Sequence, residues 1–170
     1  MKGANKRDNP YLLKDAMMPP LHDIDISAVT SKSYPILAQL RTALWPQDSY
    51  EAHLKDLIDL CDNHGMTAWL AYDSNGTAIG FLELSTRPYV NGCLYRPVAF
   101  IEGIYCAPNW QQSGLGAALV KVAEDWAKAE GIREIASDTY AENWAARHAH
   151  QKWGFQETET VTYFRKNLSK

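Results

Sequence analysis

A glycine-containing loop between an apolar strand and an amphipathic helix sets the tightest limit on how this chain can fold. The loop reads QQSGLG at residues 111–116 and follows a mostly apolar run at 98–105. Apolar residues then recur at helical spacing, at Leu115, Leu119, Val122 and Trp126. A strand, a tight glycine turn and a helix in this order favour an α/β fold with a central sheet.

The same loop is suited to binding an anion. Backbone N–H groups at the beginning of a helix have no acceptor within the helix, and the positive end of the helix dipole attracts a phosphate. The loop is neither the G-x-G-x-x-G of dinucleotide-binding folds nor the P-loop, because it lacks the Lys-Ser/Thr pair. A strand-to-helix turn without a ligand is the alternative, and the spacing alone does not separate the two.

Hydrophobic periodicity predicts a mixed α/β domain over residues 21–170, with the element order β-α-α-β-β-β-α-β-α-β-β. Ser31 or Ser33 is predicted to cap the first helix, and Asp48 or Ser49 the second. The predicted strands are at 23–29, 67–72, 77–85, 98–105, 133–137, 155–159 and 161–165. The last helix is predicted at 142–152.

Length and composition are those of one globular domain. The chain has 170 residues, 46% of them hydrophobic, which is enough for a sizeable core. Residues 1–20 mix charges without periodicity. We expect them to be an N-terminal extension that is disordered, that is an expression remnant, or that precedes an internal start at Met17 or Met18.

Charge and cysteine content argue against several functional classes. The net charge is −3, without the basic excess that nucleic-acid-binding domains carry. The three cysteines have no CxxC spacing, which argues against a disulfide framework or a zinc site and favours a reducing cytoplasm. No apolar run approaches the ~20 residues of a membrane span, and the N-terminus lacks the apolar region of a secretion signal.

Two motifs resemble the GNAT acyltransferase superfamily. The pattern Q-x-x-G-x-G at 111–116, after GIYCAP at 103–108, is similar to its motif A, where the loop holds the pyrophosphate of acetyl-CoA. Asn143-x-x-Ala146, followed by WGF at 153–155, resembles the next segment of that superfamily. The resemblance covers residues 21–170. It implies a central sheet of about seven strands and about four helices, splayed between the fourth and fifth strands.

The resemblance also implies a cosubstrate and the residues that hold it. Acetyl-CoA is the implied acetyl donor, and no metal is implied. Backbone N–H groups at 104–106 would bind the acetyl carbonyl and the pantetheine, and the glycine loop would bind the pyrophosphate. The implied acetyl-CoA residues are Ile104, Tyr105, Cys106, Gln111, Gln112, Ser113, Gly114, Leu115, Gly116 and Asn143.

Five further segments resemble the aminoglycoside 6'-N-acetyltransferases, which acetylate the 6'-amine of kanamycin- and tobramycin-type drugs and so cause resistance. The segments are LW at 44–45, YVNG at 89–92, FIEGIY at 100–105, ASD at 136–138 and FQETE at 155–159. The resemblance implies the same drug-acetylating function and a homodimer. The positions that line the drug pocket in that family are here Trp45, Tyr89, Glu102, Asp138 and Glu159.

The chemistry of the implied substrate supports carboxylates among these positions. An aminoglycoside is a polycation, so its site should combine carboxylates with a flat aromatic wall. Glu102 and Asp138 each interrupt an apolar strand, which is costly unless the carboxylate is paired or faces a cleft. Pairing with a neighbouring Arg or Lys is the alternative for both. Glu157 and Glu83 are alternative acidic candidates for the pocket position assigned to Glu159.

Trp45 and Tyr89 also have a structural alternative. Trp45 precedes a proline and could be ordinary core, and Tyr89 could anchor its loop. Neither residue would be assigned to a substrate pocket without the resemblance.

The implied reaction is direct acetyl transfer, which requires a neutral amine. Asp138 is the predicted base that removes the amine proton, directly or through water, and Glu102 is the second candidate. His150 stands where many members of the superfamily have a tyrosine that protonates the leaving thiolate. Cys106 is expected to serve packing, because the superfamily forms no acyl-enzyme. His148 and His150 lie on different faces of a helix, which disfavours a metal site.

Two other functions remain open from the sequence. A GNAT domain can acetylate a different cationic amine, such as a polyamine or a protein amine. The second possibility is a non-catalytic acetyl-CoA sensor. Such a protein would be expected to have a broken glycine loop or to lack the carboxylate pair. The chain has neither defect.

Overall fold

The computed structural model describes residues 23–168, so the prediction about residues 1–20 lies outside the described part of the chain. Strands and helices follow the predicted order as far as the fourth helix. The strands are β1 (Asp25–Ala28), β2 (Thr67–Tyr72), β3 (Ala78–Arg87), β4 (Val98–Cys106) and β5 (Ile135–Ser137). The helices are α1 (Tyr34–Leu44), α2 (Tyr50–Asn63), α3 (Leu115–Ala129) and α4 (Trp144–Lys152).

Local sequence signals explain where several elements begin and end. The Ser49 side chain accepts a hydrogen bond from the Ala52 N–H and so caps α2. In the β2–β3 hairpin, an oxygen of the Asp73 carboxylate accepts from the N–H groups of Asn75 and Thr77, both at 2.9 Å. These short-range bonds fix the turn and therefore the register of the hairpin.

The sheet runs in sequence order from β1 to β5. The first four strands are antiparallel to their neighbours, and β5 is parallel to β4. The β4–β5 pairing covers only residues 99–101 and 135–137, and β4 then continues to Cys106 paired with β3 alone. The sheet is thus open between its fourth and fifth strands, as predicted.

The predicted strand pair at 155–159 and 161–165 is wrong for this structure. Within residues 23–168 the sheet has five strands, not about seven, and the chain after α4 joins no ladder. Apolar residues alternate with polar ones there, but the side chains of Tyr163 and Phe164 are 85% and 94% exposed. Alternation alone does not make a strand when no neighbouring strand supplies main-chain hydrogen bonds.

Helices cover both faces of the sheet and separate two cores. Leu115 and Leu119 of α3 pack with Leu82 on one face. On the other face, Leu37 of α1 packs with Phe81. Because side chains alternate along β3, the residues at 81, 83 and 85 face the α1–α2 side. Among residues 23–168, no helix has the length and apolar character needed to cross a bilayer.

Candidate active site

A cavity of about 310 Å³ lies on the α1–α2 side of the sheet. Two of the five predicted pocket residues, Trp45 and Glu102, line it together. Its lining is Arg41, Trp45, Leu60, His64, Met66, Glu83, Ser85 and Glu102. The volume is at the lower end of the range for small-molecule sites.

The Trp45 ring is a flat wall held from several sides. It lies 6.2 Å from the ring of Phe81, and the Arg41 guanidinium is 5.0 Å from its centre. The Trp45 carbonyl accepts a hydrogen bond from Nε2 of His53 at 3.1 Å. A Cβ at Gly103 would come within 2.4 Å of the indole, so only glycine admits the ring here. An indole fixed in this way can support a sugar ring without reorganising.

A β-bulge places Glu102 in the cavity wall. Glu83 pairs with Gly103 and Leu84 pairs with Ile101, so Glu102 is an extra residue in β4. Such a bulge bends the strand locally and redirects a side chain. The bulge therefore explains how a carboxylate in an apolar strand reaches the cavity.

Arg87 and Ser85 hold the Glu102 carboxylate. Nε and a terminal nitrogen of Arg87 donate to Oε1 at 3.0 and 2.9 Å, and the same terminal nitrogen lies 2.7 Å from Oε2. The Ser85 hydroxyl donates to Oε1 as well. Glu102 is thus paired with a neighbouring arginine, which is the alternative that the sequence left open.

A second carboxylate, Glu83, is buried at the cavity floor. Its side chain is 2% exposed and lies 3.2 Å from a terminal nitrogen of Arg41. Burial raises the pKa of Glu83 from 4.5 to about 7; the Glu102 charge acts in the same direction and Arg41 opposes it. Glu83 therefore takes up a proton near neutral pH.

Replacing Glu83 by glutamine is expected to change how stability depends on pH. Because the pKa of Glu83 is raised on folding, its stabilising contribution is present below about pH 4.5 and is lost as pH rises through 7. The loss of the Arg41 partner costs the variant stability at every pH. On top of that constant cost, the unfolding free energy of Glu83→Gln relative to wild type should rise by on the order of 3 kcal/mol between about pH 4.5 and 8. Urea unfolding across this range measures the difference, and a difference independent of pH would contradict the assignment.

The other three predicted pocket residues do not line this cavity. Asp138 follows β5 directly; it is exposed and has no ion-pair or hydrogen-bond partner in the part of the chain that the structure describes. Glu159 is also exposed, in the segment after α4. Tyr89 is 52% exposed, with the Arg96 guanidinium 4.9 Å from its ring centre.

A second cavity, of about 350 Å³, lies between β5, the loop at 90–94 and the segment at 153–158. Ser137 and Thr158 line it, so Asp138 and Glu159 each follow a lining residue. The Glu134 carboxylate accepts the N–H groups of Leu94 and Tyr95 at 2.7 and 2.6 Å. This anchor fixes the loop that follows Tyr89.

The glycine loop presents free donors at the beginning of α3. Gln112 and Gly114 have positive φ values of 62° and 98°. Within residues 23–168, the N–H groups of Gly114, Gly116 and Ala117 have no hydrogen-bond acceptor. The positive end of the helix dipole lies at the same place. This arrangement fits a phosphate-bearing ligand such as CoA.

The remaining predicted acetyl-CoA residues surround this loop or end the fourth strand. Ile104, Tyr105 and Cys106 form the end of β4 that has no β5 partner. The Gln111 side chain donates to the Cys106 carbonyl at 3.3 Å. Ser113 is buried, and Leu115 begins α3. Asn143 caps α4 by accepting the Ala146 N–H at 3.1 Å.

His150 is half-buried on α4 and both ring nitrogens have partners. Nδ1 lies 2.7 Å from the Ala146 carbonyl, which can only accept, so Nδ1 carries the proton. Nε2 lies 3.0 Å from the Ser137 hydroxyl and accepts from it in the neutral ring. The ring also packs against Trp153 and Phe155. Cys106 is largely buried, which raises the pKa of its thiol to about 11 and disfavours a nucleophilic role.

Sequence reasoning missed Arg41, Ser85 and Arg87. Alternation along β3 could have found the last two, because residues 83, 85 and 87 share one face of a strand. Their pairing with β4 depends on the bulge, which has no local sequence signature. Among residues 23–168, no three His, Cys, Asp or Glu side chains are grouped so that they could hold a metal ion.

Similarity to known proteins covers most of the chain. Residues 34–155 match the family described as acetyltransferase (GNAT) family. The aminoglycoside N(6')-acetyltransferase type 1 of Serratia marcescens is 42% identical over 130 residues, which are 76% of this chain and 89% of that protein. The protein of the same name from Acinetobacter genomosp. 13 is 45% identical over 130 residues, which are 76% of this chain and 88% of that protein.

Solved structures agree with the sequence matches. The aminoglycoside 6'-N-acetyltransferase AAC(6')-Ih of Acinetobacter baumannii superposes with a TM-score of 0.80 at 38% identity, covering 86% of this chain and 99% of that one. AAC(6')-Iy in complex with the bisubstrate analog CoA-S-monomethyl-acetylneamine gives a TM-score of 0.80 at 37% identity, covering 85% and 98%. The chain described here therefore belongs to the GNAT acetyltransferase family, and these relatives within it are aminoglycoside N(6')-acetyltransferases.

Proposed function

We propose that this protein transfers the acetyl group of acetyl-CoA to the 6'-amine of an aminoglycoside and so confers resistance. Two features of the structure together support the proposal. The N–H groups at the beginning of α3 have no acceptor within residues 23–168, and the end of β4 has no β5 partner. A CoA phosphate and the pantetheine chain fit these two features, respectively. The substrate class rests on the relatives, whose names specify aminoglycosides and the N(6') position.

The substrate would lie against Trp45, with its ammonium groups near carboxylates. Glu102 lines the same cavity as Trp45. Asp138, Glu159 and Tyr89 would contact the substrate from the β5 side, where the second cavity lies. A polycation bound between these carboxylates is held at several points, which orients the reacting amine.

Asp138 is the group we assign to proton removal. The amine arrives as an ammonium, and only its neutral form attacks a thioester carbonyl. Asp138 is exposed beside the open end of the sheet and has no partner within residues 23–168, so it is available to accept that proton. Glu102, held by Arg87, is more suited to binding than to proton transfer.

His150 is the group we assign to protonating the leaving thiolate. Its Nε2 is hydrogen bonded to the Ser137 hydroxyl, which lies at the end of β5 beside the opening in the sheet. In the protonated ring, Nε2 would donate its proton to the Ser137 hydroxyl oxygen. That hydroxyl would in turn donate its own proton to the leaving CoA thiolate. The Ile104–Cys106 backbone would bind the acetyl carbonyl oxygen, which gains negative charge during transfer.

A thiol-release assay tests the proposed function. Purified protein is given acetyl-CoA with kanamycin, spermidine or a lysine peptide in parallel. We expect rapid turnover with kanamycin alone, and NMR of the product should locate the acetyl group on the 6'-nitrogen. Turnover only with another amine would overturn the substrate class, and acetyl-CoA binding without turnover on any amine would support a sensor.

We also propose that the protein acts in the cytoplasm as a homodimer. All three cysteines are free thiols, which suits a reducing compartment. In the described chain, β5 has β4 as its one neighbour, and apolar side chains at Val161, Tyr163, Phe164 and Leu168 are exposed after α4. A second copy would cover this edge and these side chains. Light scattering on full-length protein tests the dimer, and a monomeric mass would contradict it.

A further inference from the structure

The Glu102 carboxylate, which would bind an ammonium group of the substrate, is already occupied by a cation. The Arg87 guanidinium contacts both oxygens of Glu102 at 2.7–3.0 Å. A fork of this kind is the strongest common geometry between a cation and a carboxylate. An incoming ammonium must therefore compete with Arg87 for the same oxygens.

The Arg87–Glu102 pair is placed so that it can open. The side chains of Arg87 and Glu102 are 39% and 31% exposed. The fork places this pair at the upper end of the range for solvent-accessible ion pairs, about 1 kcal/mol, because water solvates both partners when they separate. A multiply charged ligand can therefore replace one partner. The Arg41–Glu83 pair beside it differs, because its side chains are only 9% and 2% exposed. Separating that pair would leave a buried charge without a partner.

Arg87 also has a second contact that is independent of Glu102. Its guanidinium carbon lies 3.4 Å from the centre of the Phe100 ring. A cation over an aromatic face keeps part of its stabilisation when the carboxylate turns to another partner. Arg87 can therefore release Glu102 without being left fully unpaired.

We propose that Arg87 is a specificity-determining residue: its guanidinium occupies Glu102 in the absence of substrate and gives way only to a cationic group of the ligand. A neutral hydroxyl cannot replace a guanidinium on a carboxylate at equal strength. Arg87 thereby penalises ligands that lack an ammonium at this place, and it lowers the affinity even of those that carry one. This inference rests on the proposed function.

The test compares wild type, Arg87→Met and Arg87→Lys with kanamycin and acetyl-CoA. Methionine keeps an unbranched apolar chain against Phe100 and removes the competing charge. We expect the KM for kanamycin to fall about fivefold in Arg87→Met, with kcat unchanged. The substrate would no longer have to displace Arg87 from Glu102, and the free energy of such a solvent-exposed ion pair corresponds to a factor of up to about five in affinity. Arg87→Lys, which keeps the charge but not the fork, should lie between the two.

Two controls separate competition from other effects. Arg133→Met makes the same change in charge at an arginine that packs on Tyr95, at 3.7 Å, and has no contact with Glu102. It should leave KM unchanged. In a Glu102→Gln background, Arg87→Met should no longer lower KM, because the charge that Arg87 competes for is gone.

The other possible results distinguish a failure of the proposed function from a failure of the Arg87 proposal. If wild type does not acetylate kanamycin, the proposed function falls, and the Arg87 proposal falls with it. If wild type is active but KM rises in Arg87→Met, Arg87 orients Glu102 for the substrate and does not compete with it. An unchanged KM in both Arg87 variants, with native melting temperatures, would equally overturn the proposal.

Discussion

Substituting Asp138 by asparagine is expected to lower kcat/KM for an aminoglycoside by about 100- to 10,000-fold, the usual contribution of a general base. Asparagine keeps the shape of the side chain but cannot accept the amine proton. The carboxylate is exposed at the end of β5 and has no partner in the described chain, so its removal should leave the fold intact. The dissociation constant of acetyl-CoA should be unchanged.

Steady-state kinetics and a binding titration with acetyl-CoA measure these two quantities. Asp125→Asn is the matched control, because Asp125 is an exposed aspartate of α3 whose partner is Lys121. That variant should keep wild-type kcat/KM. Full activity in Asp138→Asn would move the role of base to Glu102 or to bulk water.

Glu102→Gln distinguishes binding from proton transfer. If Glu102 holds an ammonium group that does not react, this variant should raise KM and leave kcat nearly constant. A fall in kcat as large as that expected for Asp138→Asn would instead make Glu102 the base.

Much of the fold follows from local sequence signals. The glycine loop, the capping residues Ser49 and Asn143 and the Asp73 turn each act over a few residues. Signals of this range are visible in the sequence, and the element order up to α4 was predicted from hydrophobic periodicity together with turn and capping residues. The capping role of Asn143 was not among those predictions. The strands predicted after α4 had the right alternation but depended on a neighbour, which no local pattern specifies.

The candidate site was harder to predict for the same reason. The sequence placed Trp45 and Glu102 in one pocket by resemblance, and the structure places both in one cavity. It did not identify Arg87 as the partner of Glu102, because that contact crosses from β3 to β4 through the bulge. Polar groups that meet across a register shift are set by tertiary packing, not by spacing along the chain.

Adding one methyl group at Gly116 is expected to weaken acetyl-CoA binding although it leaves the charge of the glycine loop unaltered. A Cβ at Gly116 would lie 2.5 Å from the Trp153 indole. Alanine is favoured over glycine in helices by about 1 kcal/mol, whereas overpacking costs about 1–3 kcal/mol. We expect the contact to dominate, displacing the first turn of α3 and raising the acetyl-CoA dissociation constant about tenfold or more.

Thermal melting and an acetyl-CoA titration measure both consequences, and a second substitution identifies their cause. In Gly116→Ala combined with Trp153→Phe, the smaller ring leaves room for the methyl group, so affinity and melting temperature should both recover in part. A Gly116→Ala variant that melts higher and binds normally would mean that helix propensity outweighs the contact. The first turn of α3 would then tolerate a side chain, and close packing against Trp153 would not be what positions the N–H groups that we propose bind the phosphate.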